Sequence, residues 1–205
     1  MAAPQLYLVT PPAPDPASFD DDLRAVLDAA PFACVLLLPG DRDDDALRAI
    51  VDALRPEVQD RDIAFLIDGR PELAVATGCD GVHTCPAGPT YEHCRRQVGP
   101  DAIVGYSCRN DRHNAMVAAE QGADYIVFGE GNPTATDTAL TIDLIGWWAE
   151  LMEVPCVALD RIGPDSASGF AEAGADFLAI GPALWRDPAG PAPTAQAIAK
   201  AVGLI

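Results

Sequence analysis

The side chains able to do chemistry lie in short polar clusters, each directly after a run of apolar residues. The clusters are Gly40-Asp41-Arg42, Asp68-Gly69-Arg70, His83-Thr84-Cys85, Ser107-Cys108-Arg109-Asn110, Asp160-Arg161 and Gly181-Pro182. A longer one holds Glu130, Asn132, Thr134 and Thr136. Arg70, Arg109 and Arg161 together would make a forked anion site, because guanidinium groups grip phosphate or carboxylate with paired donors. Each has an alternative partner in a local Asp such as Asp68, Asp111 or Asp160. Ser107 and Thr134 suit hydrogen bonds to a ligand and equally suit capping of the helices that follow. His83 reads either as a proton shuttle or as a side chain packed at a strand end, the commoner role for a lone titratable group. His83, Cys85 and Cys108, with His113, have the chemistry of a zinc site. No Cys-x-x-Cys pair accompanies them, and isolated cysteines are commonly small buried hydrophobes, so no metal is assigned. Lys200 is the only lysine. A central Schiff-base lysine and a P-loop lysine are both excluded.

Eight apolar runs must position these clusters: Leu6–Val9, Ala33–Leu38, Ile63–Ile67, Gly81–His83, Ala102–Tyr106, Tyr125–Phe128, Cys156–Leu159 and Phe177–Ile180. Each is short and nearly continuous in apolar character, as strands buried on both faces of a parallel sheet are. Helical stretches alternate with them. Ser18 is placed to cap Asp20–Ala30, with Asp20 to Asp22 as first-turn acids. Asp43–Leu54 puts Ala46, Leu47, Ile50, Val51 and Leu54 on one face. Asn110–Gln121, Thr136–Leu151, Asp165–Ala173 and Pro193–Val202 complete the set. Gln121-Gly122-Ala123-Asp124-Tyr125 and Glu172-Ala173-Gly174-Ala175-Asp176-Phe177 are nearly the same joint, a helix end, a Gly stop and a strand start. Thr77-Gly78-Cys79-Asp80-Gly81-Val82 is a looser copy. This alternation predicts a single α/β domain over 1–205, a (β/α)8 TIM barrel whose site lies at the C-terminal ends of the strands. A doubly wound sheet is the runner-up, but Thr10-Pro11-Pro12-Ala13-Pro14 is no glycine-rich fingerprint.

The 205 residues are 49% hydrophobic and 21% charged, enough apolar material for a sizeable core. Thirty-one acids against thirteen bases give a formal charge of −18, which argues against nucleic acid and anionic lipid as partners. No export signal or apolar run of membrane-spanning length is present, so a cytoplasmic protein with reduced cysteines is expected.

Leu6-Tyr7-Leu8-Val9-Thr10, Leu66-Ile67-Asp68-Gly69-Arg70-Pro71-Glu72-Leu73-Ala74, Cys79-Asp80-Gly81-Val82-His83, Val104-Gly105-Tyr106-Ser107, Gly122-Ala123-Asp124-Tyr125 and Gly129-Glu130-Gly131-Asn132-Pro133-Thr134-Ala135-Thr136 form an ordered set. From first strand to last, the set resembles the thiamine phosphate synthase and thiazole tautomerase superfamily. The resemblance implies the same eightfold barrel and a place in thiamine biosynthesis. For the synthase it implies the joining of an aminopyrimidine diphosphate to a thiazole phosphate, with Mg2+ assistance and release of pyrophosphate.

The chain departs from that pattern at several points. The family's Gln-x-Arg-x-Lys after the second strand aligns with Leu36-Leu37-Leu38-Pro39-Gly40, and its Asn-Asp after the third with Asp68-Gly69. A second metal Asp aligns with Gly88, a lysine with Asp137, and a phosphate-facing Gly-Gly with Asp160-Arg161. The tautomerase His aligns with Arg109. A diphosphate needs cations to neutralise it, and close like charges repel by ~4 kcal/mol at intermediate dielectric. The expectation is therefore a divergent member whose diphosphate- and Mg2+-binding residues are largely lost, with Mg2+ relevant only where synthase activity persists. Candidate ligand contacts are Asp68, Arg70, His83, Ser107, Arg109, Thr134, Thr136, Asp160, Arg161 and Gly181, and no catalytic residue is assigned. The ligand expected is a thiazole or pyrimidine, at most monophosphorylated. A non-catalytic, regulatory barrel is the alternative. Finally, the adjacent Trp147 and Trp148 point about 100° apart on a helix, which places at least one at the edge or outside and suggests a homodimer through this helix.

Overall fold

The computed structural model of the protein describes residues 3–129, 137–181 and 183–205. Eight parallel strands close a barrel in sequence order, with β8 pairing β1. They are β1 (Gln5–Val9), β2 (Phe32–Leu37), β3 (Ala64–Asp68), β4 (Gly81–Thr84), β5 (Ile103–Ser107), β6 (Tyr125–Phe128), β7 (Cys156–Leu159) and β8 (Phe177–Ile180). The helices are α1 (Pro16–Ala29), α2 (Asp44–Gln59), α3 (Pro71–Thr77), α4 (Tyr91–Val98), α5 (Arg112–Glu120), α6 (Thr138–Leu151), α7 (Ala167–Ala173) and α8 (Pro191–Ala201). The expected (β/α)8 barrel is the observed one. Among the described residues no helix is long and apolar enough to cross a membrane.

Alternation along each strand sorts the core into two layers. Leu6, Leu8, Val35, Leu37, Phe65 and Ile67 face the helices, whereas Tyr7, Val9, Cys34, Leu36, Leu66, Tyr125, Val127, Val157 and Ala179 fill the barrel. Both faces are buried, which is why the strands read as continuous apolar runs.

Several boundaries differ from the sequence expectation, each for a local reason. The cap of α1 is Asp15, whose carboxylate accepts from Ala17 N at 3.1 Å, and Pro16 supplies the fixed φ suited to a first turn. Ser18 instead donates to the Asp15 carbonyl, and Asp20 and Asp21 pair with Arg24. The fifth helix starts at Arg112 and not at Asn110, because Asn110 is left-handed at φ 56° and Asp111 is the cap. Asp43 and Asp137 cap α2 and α6 in the same way. The helices α3 and α4, seven and eight residues long, have no counterpart in the periodicity, α4 because Tyr91 and Cys94 are its buried residues.

The repeated joints have a specific structural task. Asp80 Oδ2 accepts from Phe65 N at 2.7 Å, Asp124 Oδ2 from Val104 N at 2.7 Å, and Asp176 Oδ2 from Cys156 N at 2.8 Å. In each case the Asp opening an even strand clamps the start of the preceding odd strand. Its own N–H donates to that same residue's carbonyl. Gly78 and Gly174 end α3 and α7 in the left-handed conformation that such short joints require.

Candidate functional site at the strand ends

Asp68 ends β3 and His83 is penultimate in β4, and the two are register partners. The row continues through Gly105 on β5 to Tyr125 on β6. Asp68 is partly buried. Loss of hydration pushes its carboxyl up to about 6, opposed by the Arg70 charge. His83 is 6% exposed, and burial lowers its imidazole to about 4, so the ring is neutral at neutral pH. Its Nδ1 lies 3.1 Å from Tyr125 Oη, and the two rings stack at 12° with centroids 5.8 Å apart. Tyr125 Oη is in turn 2.8 Å from Tyr7 Oη. Gly105 makes this possible, since a Cβ there would stand 1.9 Å from Tyr125 Cζ.

The other candidates divide. Arg70 Nε reaches Asp44 Oδ1 at 3.3 Å, so its carboxylate partner is Asp44 and not Asp68. Arg109 and Arg161 are exposed and have no carboxylate within 4.0 Å among the described residues. Arg109 and Asn110 are both left-handed, at φ 51° and 56°. Asn110 holds this bend: its Oδ1 accepts from Gly129 N at 2.7 Å and its Nδ2 donates to Thr141 Oγ1 at 3.2 Å. Ser107 is buried at the top of β5. Gly181 marks a close approach of β8 to β1, where a Cβ would meet Val9 Cβ at 2.7 Å. Asp160 is buried; its Oδ1 accepts from Arg161 N at 2.5 Å, and its Oδ2 has no hydrogen-bond partner among the described residues. Asp137 is engaged as the cap of α6, accepting from Leu140 N at 3.1 Å. Thr134 and Thr136, with Glu130 and Asn132, lie outside the described residues.

No soft-metal cluster forms around His83, Cys85 and Cys108. The Cys108 thiol donates to the Val127 carbonyl at 3.1 Å, and burial holds it up at about 12. Among the described residues no group of three His, Cys, Asp or Glu side chains is placed to hold a metal ion. For Mg2+, which favours carboxylates and phosphate oxygens, Asp68 is flanked by Gly69, and Gly88 offers no side chain. These residues do not fit a dedicated magnesium site. A groove of about 550 Å³, between α6, α7 and the starts of β1 and β8, lies at the opposite end of the barrel.

The family model described as thiamine monophosphate synthase matches residues 6–184, most of the chain. The chain belongs to the thiamine monophosphate synthase family. Within it, the protein is 50% identical over 191 residues to a thiamine-phosphate synthase of Rhodospirillum centenum, covering 92% of each chain. It is 35% identical over 201 residues to the Hyphomonas neptunium thiamine-phosphate synthase, covering 94% and 91%. The thiamine phosphate pyrophosphorylase structure from Pyrococcus furiosus superposes with a TM-score of 0.82 over 97% of this chain and 95% of that one, at 22% identity. The 3-hexulose-6-phosphate synthase from Salmonella typhimurium shares the fold at a TM-score of 0.75 and 16% identity. In this family member, the residues that sequence reasoning passed over are Tyr7 and Tyr125, while Asn110 stood in a polar cluster without an assigned role. The two tyrosines sit inside apolar runs, where they read as core. The available signal was Gly105, a glycine in the middle of a strand, which marks close approach of a neighbour.

Proposed function

We propose that the protein acts in thiamine phosphate chemistry, binding a thiazole monophosphate or an aminopyrimidine at the strand ends. The synthase-type step, in which the thiazole nitrogen displaces pyrophosphate from an aminopyrimidine diphosphate, is the activity it would carry. The observation that carries this reading is the Asp68–His83 pair at the mouth, in which Asp68 stands where the family pattern has a neutral Asn. Asp68, ionised above about 6, accepts hydrogen bonds from an exocyclic amine. Arg109 and Arg161, exposed and without carboxylate partners among the described residues, suit a single phosphate. The thiamine-phosphate synthase names of relatives at 50% and 35% identity support the pathway.

A second reading is a binding or regulatory barrel without turnover. It is favoured by the placement of Lys200, the only lysine, in α8. Leu36–Gly40 likewise offers no cation for a diphosphate leaving group. A coupled assay with both substrates and Mg2+ separates the two readings, since robust turnover overturns the second and the proposed loss of diphosphate chemistry with it. Calorimetry with thiazole phosphate, aminopyrimidine alcohol and pyrophosphate tests the charge argument. Pyrophosphate is expected to bind weakest, and its binding tightest would defeat the argument. A homodimer through the outer face of α6 remains part of this proposal.

A further inference from the structure

The interior of a (β/α)8 barrel is ordinarily filled by aliphatic side chains. Here a polar chain crosses it: Tyr7 on β1, Tyr125 on β6 and His83 on β4, linked by contacts of 2.8 Å and 3.1 Å. All three are buried, and burial pushes the pKa of both phenols well above the ordinary value, so each carries its proton.

A buried hydroxyl that donates to nothing is costly, so the protons in this chain have to be placed. The one oxygen or nitrogen acceptor within reach of the Tyr7 hydroxyl among the described residues is Tyr125 Oη; the Cys34 thiol also lies against that hydroxyl, but its sulfur is a weak acceptor. Tyr7 therefore donates to Tyr125. The Tyr125 proton cannot point back along the same line, and its other partner is His83 Nδ1. Tyr125 therefore donates to Nδ1, which must be unprotonated to accept. In a neutral imidazole the proton then resides on Nε2, and that nitrogen makes no hydrogen bond to the described residues.

We propose that Tyr125 is a positioning residue that fixes His83 as its Nε2–H tautomer, so that the barrel mouth presents one N–H donor from His83 beside the carboxylate acceptor of Asp68. Gly105 is part of the device, because any side chain there would displace the Tyr125 ring. A donor and an acceptor side by side match an amino-substituted nitrogen heterocycle, whose ring nitrogen accepts while its exocyclic amine donates. That ligand class rests on the function proposed above. The tautomer assignment does not, and it is measured on the protein without ligand.

The chain has three histidines, so long-range proton–nitrogen correlation spectra of 15N-histidine-labelled protein at neutral pH resolve them, and His83→Gln assigns the signal. The expected wild-type spectrum has His83 protonated at Nε2 with Nδ1 as an acceptor. Tyr125→Phe removes the donor and should lower the Nε2–H to Nδ1–H ratio about tenfold, the value of one net hydrogen bond. Tyr7→Phe should leave the tautomer unchanged, since the Tyr125 hydroxyl then has Nδ1 as its remaining acceptor. An Nδ1–H tautomer in the wild type overturns the proposal, and so does a Tyr125→Phe ratio equal to that of the wild type. Should Tyr125→Phe fail to fold, the wild-type tautomer and the Tyr7→Phe spectrum still decide: loss of the Nε2–H form in Tyr7→Phe contradicts the proton order. Tautomer as assigned with no aminopyrimidine binding by calorimetry would leave this inference standing and sink the ligand reading alone.

Discussion

Asp68 and His83 are register partners displaced from their ordinary acidities in opposite directions by the same cause, burial. Their effects on stability therefore oppose each other. The Asp68 carboxyl is raised to about 6, so its contribution is present below the unfolded value of about 3.9 and is lost as pH rises through about 6. The His83 ring is lowered to about 4, so its contribution is present above the unfolded value of about 6.5 and is lost as pH falls through about 4. Between these limits the two slopes offset in the wild type. Asp68→Asn should gain stability relative to wild type as pH rises from about 4 to 6, and His83→Gln should lose it from about 4 to 6.5. Urea titrations at the two ends of the window measure both, and slopes of the same sign in the two variants would refute the burial account. Both residues were legible in the sequence because each is a polar group closing an apolar run. Their hydroxyl partners were not, since Tyr7 and Tyr125 belong to those runs and only the closed barrel brings β1, β4 and β6 to one axis.

At the scale of elements, the Gly-x-Asp joints stood out as repeats while their purpose did not. Each reads as a helix stop, yet the carboxylate fastens one strand start to the next. Such a bond is between partners one strand and one helix apart in sequence, which local pattern cannot show. Asp124 also takes the Arg95 guanidinium at 2.5 Å. Its side chain is 46% exposed, so the ion pair adds little, and the bond to Val104 N is the stabilising part. Asp124→Ala should cost about 1.5–3 kcal/mol, the range for a hydrogen bond to a charged group. The exposed Asp143→Ala serves as a control and should cost less than about 0.5 kcal/mol. Equal urea midpoints for the two variants would reject the clamp. The helix α4 shows the converse failure of legibility. Its sequence Tyr91–Val98 is polar, with Tyr91 and Cys94 as its buried residues, so no apolar stripe announces it. Its start was nonetheless encoded, in the Thr90 hydroxyl that accepts from His93 N at 3.2 Å.

For the whole molecule, the surface must reconcile a charge of −18 with any self-association. The two tryptophans divide as their spacing on the helix requires, one in the core and one at the edge. Trp148 is 1% exposed and donates its indole N–H to the Val154 carbonyl at 2.7 Å. Trp147 is half-buried beneath the Arg112 guanidinium, 4.6 Å from its ring centroid. The exposed large apolar side chains of these two helices are Leu140 and Leu151 on α6 and Met116 on α5. Two copies meeting there bring like charges together, and that repulsion is screened within about 10 Å at 0.1 M salt and about 3 Å at 1 M. Association through this face should therefore strengthen with salt, opposite to a contact held by ion pairs. Light scattering at micromolar concentration should give twice 21.5 kDa at high salt, with a larger monomer fraction at low salt. Leu151→Glu, which adds a charge at the most exposed apolar position of the patch (65% exposed), should return the protein to monomer at both. A mass of 21.5 kDa at every salt concentration would show that the Arg112 cover over Trp147 is enough to keep the barrel single.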